Sequence, residues 1–313
     1  MFHNLFSPII IIMLILLFTI IIIFIRSYIE CKTYKIDKIS IKNSKIDKGI
    51  RLIFITDFHN KSFDDDYEKI ISEIKNLNPD YIILGGDFID YSAFNSTFGK
   101  VRYKNTIKFI EKLSRSFDYN IKNTNYNLKQ ILFSYGNHEL RFIDKCKNND
   151  DKAILHELFD TFKKANITIL DNSSYELSSC AYIYGLSLYD GYYHNIFSKN
   201  KNMDKISNDL IDDKLGGIDQ RKFNIVLFHK PDYVEDLINY GFDLVLPGHN
   251  HGGLIKLTNS KSLISPDFKL FPKYSAGLYK VGSGHAVVSC GLGEHFIKIR
   301  VNNKPTLYVI DIL

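Results

Sequence analysis

The sequence predicts an α/β domain that follows an amino-terminal transmembrane helix. Three observations support this fold class. The first is an uncharged apolar run at Leu5–Ile25. The second is the alternation of strand-length apolar runs with amphipathic helical segments. The third is that five of the apolar runs end in Asp, Asn or His. At 313 residues and 45% hydrophobic content, the chain can build one large domain or two small ones.

The run Leu5–Ile25 predicts an uncleaved membrane anchor. Only Ser7, Pro8 and Thr19 interrupt it, and about 20 apolar helical residues span a hydrocarbon core. A signal peptide would have a basic start and a small-residue cleavage site. A core helix usually alternates apolar and polar faces, whereas this run is apolar all round. Basic residues follow the run but do not precede it, so the positive-inside rule predicts a single-pass protein of the cell membrane with its domain in the cytoplasm. These residues are Arg26, Lys32, Lys35, Lys38, Lys42 and Lys45.

The segment after the anchor predicts a strand, a helix and a second strand. Lys and Ile alternate over residues 34–43, which predicts a short strand with one apolar face, and residues 51–57 predict a buried strand. The acidic residues 64–66 can cap the helix that follows. Pro79 ends this helix, and Tyr81–Leu84 predicts the next strand.

The remaining chain adds two helices and several short strands. Residues 92–129 and 152–164 each contain an amphipathic helix, and the polar residues 187–222 predict a surface excursion near the functional site. Strands are predicted at Thr168–Leu170, Ala181–Leu186, Tyr279–Lys280, Ala286–Ser289, Ile297–Val301 and Thr306–Ile310. The simplest division of the chain has an anchor at 1–27, a linker with the first strand at 28–48 and one domain at 49–313.

Composition argues against two other classes of protein. The net charge is +5, but only seven of the 40 basic residues are Arg, the residue that nucleic-acid interfaces favour, so we expect no nucleic-acid partner. The four cysteines are scattered and form no C-x-x-C motif, which argues against a disulfide framework or a zinc knuckle. The sequence carries no signature of an oligomeric state.

The polar ends of the five apolar runs carry the chemistry. A strand that ends in such a residue directs the side chain at one end of a sheet, so the five strands can bring these groups together. In order, they are Asp57-x-His59, Gly86-Asp87, Gly136-Asn137-His138-Glu139, His229 and Gly248-His249-Asn250-His251. His249 and His251 lie two positions apart and are expected to share one face of a strand, which favours ligation.

This order of motifs resembles the calcineurin-like metallophosphoesterases, whose pattern is D-x-H, G-D, G-N-H-E/D, H and G-H-x-H. All five blocks are present in order. Further segments resemble the membrane-associated, YkuE-like branch of that family. They are Ile-Thr-Asp at 55–57, Gly-His-Asn-His-Gly-Gly at 248–253, Gly-Leu-Tyr at 277–279 and Ser-Cys-Gly-Leu-Gly at 289–293. The resemblance covers residues 28–313.

The resemblance implies a four-layer fold of two mixed β-sheets flanked by helices, with two divalent metal ions. One metal would be held by Asp57, His59, Asp87 and His251. The other would be held by Asp87, Asn137, His229 and His249. Asp87 is the natural bridge, since one carboxylate can offer an oxygen to each ion. The mixed imidazole, carboxylate and amide set suits Mn, Fe, Zn or Co rather than Ca and leaves the metal open.

The resemblance also gives His138 the role of general acid, which would protonate the leaving oxygen. An orienting hydrogen bond to phosphate, without proton transfer, is the alternative. Glu139 is expected to bind nearby backbone rather than metal. Tyr192, Tyr193 and His194 lie in the polar excursion, where they can contact substrate.

These features predict a membrane-anchored, dinuclear-metal phosphoesterase that hydrolyses phosphomonoesters or phosphodiesters with a metal-activated water. Asp87 and His138 are the expected catalytic residues. Because tethering holds the site near the bilayer, we expect a lipid-linked phosphoester as substrate. A protein phosphatase and a non-catalytic metal-binding scaffold at the membrane are the alternatives, although the intact ligand set favours an enzyme.

Overall fold

The computed structural model describes residues 3–91, 97–117, 126–193, 205–294 and 298–313. These residues form seven α-helices and fourteen β-strands. The helices are α1 (His3–Lys32), α2 (Glu68–Asn76), α3 (Thr97–Ser116), α4 (Asn137–Lys145), α5 (Asn149–Lys164), α6 (Asn208–Leu215) and α7 (Val234–Tyr240). The strands are β1 (Lys35–Ile41), β2 (Ile50–Ile55), β3 (Tyr81–Leu84), β4 (Gln130–Ser134), β5 (Ile167–Leu170), β6 (Ser173–Ser178), β7 (Ala181–Gly185), β8 (Phe223–Leu227), β9 (Leu244–Val245), β10 (Ile255–Lys256), β11 (Ser262–Ile264), β12 (Gly277–Val281), β13 (Gly284–Val288) and β14 (Thr306–Ile312).

The strands form two six-stranded mixed sheets and one small hairpin, β10–β11. The first sheet has the order β1-β14-β2-β3-β4-β5, in which β2 to β5 are parallel and β14 runs antiparallel to β2. The second has the order β12-β13-β9-β8-β7-β6, with antiparallel pairs at both edges and parallel strands between them. Parallel neighbours need crossover connections, which α2 and α3 supply in the first sheet.

The alternation of side chains along the central strands produces four layers. In β2, Phe54 packs in a core shared by both sheets, whereas its neighbour Ile53 packs with residues of α2, α3 and α5. In β8, Ile225 joins the shared core and Val226 packs with residues of α6 and α7. Successive side chains point to opposite faces of a strand, so a strand with both faces covered is apolar throughout. The expected fold, two mixed sheets flanked by helices, is confirmed.

Helix α1 is long and apolar enough to cross a membrane. Its most apolar window has a mean hydropathy of 3.4, and none of that window is buried against the rest of the chain. The helix continues past the apolar run to Lys32, and its final turns contact the domain through the buried side chains of Ser27 and Glu30. The division of the chain at residues 27 and 48 stays a prediction, although β1 pairs with β14 inside the first sheet.

Most of the predicted elements are present. Tyr81–Leu84 coincides with β3. At the start of α2, the carboxylate of Asp65 accepts the backbone N–H groups of Tyr67 (3.2 Å) and Lys69 (2.9 Å), as expected for a capping residue.

Two regions differ from the sequence prediction. The predicted strand Ile297–Val301 is wrong over its described part: residues 298–300 are irregular, and Val301 makes one isolated bridge to Ile255. Ile297 lies outside the described residues. The backbone N–H of Arg300 donates to Ser27 Oγ at 2.9 Å instead of to a neighbouring strand. Within the polar segment 187–222, helix α6 forms around a single buried residue, Ile211.

Truncating Phe54 should create a cavity between the two sheets. We expect Phe54→Ala to lower the free energy of unfolding by about 3–5 kcal/mol. The measurement is denaturant unfolding of the full chain in detergent, followed by far-ultraviolet circular dichroism. Leu278→Ala is the matched control, since Leu278 lies 43% exposed on the edge strand β12 and should cost less than about 1 kcal/mol. Equal losses for the two variants would contradict the packing described above.

Candidate metal centre

Residues that follow strands of both sheets come together at one edge of the fold. Asp57, Asp87 and Asn137 follow β2, β3 and β4 of the first sheet, and His229 and His249 follow β8 and β9 of the second. Because β2, β3 and β4 are parallel neighbours, as are β8 and β9, their carboxyl ends lie side by side. The strand order therefore explains why residues far apart in sequence share this edge.

These residues form two adjoining groups of metal-binding side chains. Asp57, His59 and His251 make one group, and Asp87, His229 and His249 make the other. Within each group the ligand atoms lie within 4.8 Å of one another. Asn137 joins the second group, since its Oδ1 lies 2.8 Å from Nδ1 of His249. All seven predicted metal ligands are thus brought to one place.

The two carboxylates connect the groups. Oδ2 of Asp87 lies 2.9 Å from Nε2 of His229 in its own group and 3.9 Å from Nε2 of His59 in the other. Oδ1 of Asp57 lies 3.4 Å from Nε2 of His251 and 3.3 Å from Nε2 of His229. Each carboxylate therefore faces both groups, which is the arrangement that a shared ligand requires.

The backbone is strained where it carries these side chains. Asp57, His59, Asp87, His249 and His251 have φ values of 50°, 45°, 54°, 64° and 47°. A positive φ is uncommon for residues other than Gly, and such strain concentrates at functional sites. The strain lowers the stability of the backbone in these turns, and the same conformation sets the direction of the metal-binding side chains.

This conformation corrects one prediction about the last motif. His249 and His251 do not share one face of a strand, since residues 249–252 form bends and turns beyond β9. The left-handed backbone at both positions directs His249 to the second group and His251 to the first. Their spacing in sequence is consistent with ligation, but for a different geometric reason.

Glu139 supports the site from the first turn of α4. Its carboxylate accepts backbone N–H groups from Asp87 (2.8 Å), Phe88 (2.7 Å), Ile89 (3.1 Å) and Gly136 (2.9 Å). Burial and the charge of Asp87 raise the pKa of Glu139 to about 7, although these hydrogen bonds favour its ionised form. The expectation that Glu139 hydrogen-bonds to nearby backbone is confirmed.

The electrostatics of the two groups suit a cation. Burial alone would raise the pKa of Asp57, but the imidazoles of His251 and His229 outweigh burial and hold it below the usual value. Burial alone would lower the pKa of His229, but the charges of Asp87 and Asp57 raise it well above the usual value. Nδ1 of His229 lies 2.9 Å from the carbonyl oxygen of Gly85 and donates to it, so Nε2 is the ring atom that faces the two carboxylates. A divalent cation between Nε2 and these carboxylates would take the place of the second proton that the raised pKa implies.

His138 lies beside the metal ligands, in a cavity of about 200 Å³. Its backbone N–H donates to Oδ1 of Asp87 at 2.8 Å, and its Nδ1 accepts the backbone N–H of Tyr91 at 2.8 Å. Oδ1 of Asp90 lies 3.5 Å from the same Nδ1. In the neutral ring, a proton on Nε2 and a lone pair on Nδ1 satisfy the contact with Tyr91.

Other residues around this cavity were not predicted from the sequence. Arg141 lies one helical turn after His138 on α4 and lines the cavity. This helical spacing could have indicated from the sequence that both side chains share one face of the helix. Asp267 also lines it, and its Oδ2 lies 3.1 Å from Nε2 of His249. Asp267 and Asp90 stand in loops, where no periodicity marks them. Of the expected substrate contacts, Tyr193 lines the cavity, whereas His194 lies outside the described residues.

The two facing sheets and the two groups of metal-binding side chains at strand ends indicate a metal-dependent hydrolase of phosphoric esters. The family model described as calcineurin-like phosphoesterase matches residues 50–253, and the chain belongs to this family. The family that the motifs indicated is therefore confirmed, as is the assignment to a hydrolase. The scaffold alternative is not retained.

Several known proteins are similar to the chain. The uncharacterized metallophosphoesterase YkuE of Bacillus subtilis is 27% identical over 91% of this chain and 87% of its own length. The UDP-2,3-diacylglucosamine pyrophosphatase LpxG of Chlamydia muridarum is 26% identical over 85% of this chain and 84% of its own. Among solved structures, TT1561 of Thermus thermophilus aligns with a TM-score of 0.45 at 13% identity, over 79% of this chain and 92% of that one.

Replacing the Glu139 carboxylate should weaken the fold around the site. We expect Glu139→Gln to lower the free energy of unfolding of metal-free protein by about 1–3 kcal/mol, because one amide oxygen cannot accept all four N–H groups and the NH₂ group faces donors. Denaturant unfolding in the presence of a chelator measures the change. Glu68→Gln is the matched control, since the Glu68 side chain is 74% exposed. A loss no greater than that of the control would contradict the supporting role.

Proposed function

We propose that this protein is a membrane-anchored, dinuclear-metal phosphoesterase that hydrolyses phosphomonoesters or phosphodiesters. The observation that carries the proposal is the position of Asp87, whose Oδ2 lies near imidazoles of both ligand groups. A carboxylate in that position can hold two cations close together. When bound, the cations supply a hydroxide-like water and neutralise charge on phosphorus.

The proposed ligand assignment follows the two groups. Asp57, His59 and His251 would hold one divalent ion, Asn137, His229 and His249 the other, and Asp87 would contact both. Asp267 is a positioning residue in this scheme. Its contact with Nε2 of His249 leaves Nδ1, the atom nearest Asn137, with the free lone pair. The donor set leaves Mn, Fe, Zn and Co as candidates.

His138 is proposed to act on the leaving oxygen through Nε2. In the neutral ring, the contact between Tyr91 N–H and Nδ1 keeps the proton on Nε2, which supports a hydrogen bond donated toward the cavity. Full proton transfer needs a second proton on Nδ1, which would replace the contact with Tyr91 by one with Asp90, whose Oδ1 lies 3.5 Å from Nδ1. Arg141 lines the same cavity and is proposed to bind a non-bridging phosphoryl oxygen.

The proposed substrate is a phosphoester linked to a lipid. Helix α1 is apolar on all sides and exposed, so anchoring would hold the domain at a bilayer. The cavity of about 200 Å³ is smaller than the usual ligand pocket, so the remainder of a substrate would lie outside it. The name of the relative LpxG refers to hydrolysis of a pyrophosphate in an acylated nucleotide sugar, which supports a substrate that joins a phosphate group to acyl chains. The basic residues after the apolar run support a cytoplasmic domain.

Replacing Asp87 should abolish metal-dependent hydrolysis. We expect Asp87→Asn to reduce hydrolysis of bis(p-nitrophenyl) phosphate by at least about 100-fold, because the loss of a shared ligand should exceed the 10–100-fold that loss of a supporting residue costs. Activity of the full chain in detergent is measured with added Mn²⁺, together with metal content by elemental analysis. Asp209→Asn, an exposed site on α6, is the matched control. Equal rates for wild type and Asp87→Asn would refute the proposed centre.

Proton donation by His138 should depend on the leaving group. We expect His138→Ala to lower kcat by roughly 10²–10⁴-fold on an alkyl phosphoester, and by much less on a nitrophenyl ester, whose leaving group needs no proton. Steady-state kinetics on both esters measures this difference. His156→Ala, at a side chain 78% exposed, is the control. Equal losses on both esters would support the orienting hydrogen bond instead of the acid.

An acyl chain on the substrate should increase turnover. We expect the full chain in vesicles to hydrolyse an acylated phosphoester at least about tenfold more efficiently than its unacylated counterpart, because both partners then share one bilayer. Suitable pairs are UDP-2,3-diacylglucosamine with UDP-glucosamine and phosphatidic acid with glycerol phosphate. Equal kcat/KM values within every pair would count against a lipid-linked substrate and leave the metal centre untouched.

A further inference from the structure

The domain-side end of helix α1 is built into the catalytic domain. Ser27 and Glu30 are only 3% and 4% exposed, although the apolar part of the same helix is exposed. Tyr28 and Ile29, in the same turn, are 68% and 54% exposed. One face of this final part of the helix is therefore docked, and its polar side chains carry the contact.

The polar side chains of this docked face accept hydrogen bonds from a turn at residues 300–303. The carboxylate of Glu30 accepts the backbone N–H groups of Asn302 at 3.1 Å and Asn303 at 2.6 Å. Ser27 Oγ accepts the backbone N–H of Arg300 at 2.9 Å. Asn302 has a φ of 56°, so the turn is strained and depends on these contacts for its conformation.

The same turn holds the backbone of His251. Nδ2 of Asn303 donates to the His251 carbonyl oxygen at 2.7 Å, and Nη1 of Arg300 donates to the same oxygen at 3.2 Å. Asn303 also donates to the carbonyl oxygen of Gly253. Arg300 and Asn303 are 3% and 0% exposed, so water does not compete for these bonds.

The support acts on the main chain of His251 more than on its ring. Nη2 of Arg300 lies 3.4 Å from Nδ1 of His251, which is long for a hydrogen bond. His251 itself has a φ of 47°, a conformation that the surroundings must impose. Because the backbone direction sets where the imidazole points, the contacts of its carbonyl oxygen fix the place of Nε2 beside Asp57.

We propose that Glu30 is a positioning residue for the metal ligand His251, so that the group of Asp57, His59 and His251 binds its divalent cation tightly only while the end of α1 is docked. The inference rests on the proposed metal centre. In this proposal, the end of α1 supports the metal site and does not only connect the domain to the apolar helix. Loss of the contact between the end of α1 and the turn at residues 300–303 selectively weakens the cation site formed by Asp57, His59 and His251.

The test is metal binding by the full chain in detergent, with metal removed by chelation and Mn²⁺ then titrated and followed by electron paramagnetic resonance. Wild type should bind two Mn²⁺ ions. Glu30→Ala should weaken one site by about tenfold or more and leave the other unchanged. Glu30→Gln, which keeps one oxygen acceptor, should fall between the two, and it replaces Glu30→Ala if that variant does not fold. Ser27→Ala should weaken the same site by a smaller factor.

Two matched controls lie in the same turns of the helix. Arg26→Ala removes the 3.1 Å ion pair to Glu30 but leaves its contacts to the turn, and Ile29→Ala changes an exposed side chain. Both should bind Mn²⁺ as wild type does. His251→Ala identifies the affected site, and Glu30→Ala combined with His251→Ala should weaken it no further than His251→Ala alone.

Three outcomes would overturn the inference. Wild-type binding of both ions by Glu30→Ala would show that the docked turn does not support His251. Equal weakening of both sites, together with a lower melting temperature, would assign Glu30 a general structural role. If wild type binds none of Mn²⁺, Fe²⁺, Co²⁺ and Zn²⁺ by elemental analysis, the proposed metal centre itself fails. If wild type binds two ions and only the Glu30 result is negative, the metal centre stands and this inference alone fails.

Discussion

The structure depends on keeping two buried carboxylates, Asp57 and Asp87, close together. Asp57 is fully buried and Asp87 is 2% exposed, and like charges at such depth repel strongly unless cationic or donor groups surround them. Imidazoles from both sheets provide that surrounding. Small residues allow the close approach: a Cβ atom added at Gly136 would collide with the carboxylate of Asp87, and one at Gly248 would collide with that of Asp57. The surrounding imidazoles, the nearby glycines and the strained turns therefore all allow two like charges to lie close together.

The sequence was informative wherever a regular pattern ended in a polar residue. Asp57, Asp87, Asn137, His229 and His249 follow apolar strands, and the parallel order of these strands brings them together without further information. Periodicity also located β3 and the strand-to-helix alternation. The layers followed because strands that are apolar throughout need cover on both faces.

Features that arise from tertiary contacts could not be predicted in this way. The direction of His251 depends on a left-handed backbone, which two histidines at alternate positions do not encode. Residues 298–301 contain apolar residues that suggested a strand, yet their backbone serves the end of α1 and the hairpin β10–β11 instead. Asp267 and Asp90 gain their roles only because distant loops place them beside histidines. Each of these features depends on partners far away in the chain, so the local sequence pattern does not indicate it.

The position of β14 has a consequence for how the protein is made. This strand lies between β1 and β2, although the ribosome produces it after every other described strand. Until it arrives, β1 and β2 have open hydrogen-bonding edges. Incomplete chains that lack β14 therefore present unpaired strand edges to one another, which favours association between chains. Interruption of translation shortly before β14 should expose the chain to aggregation and proteolysis.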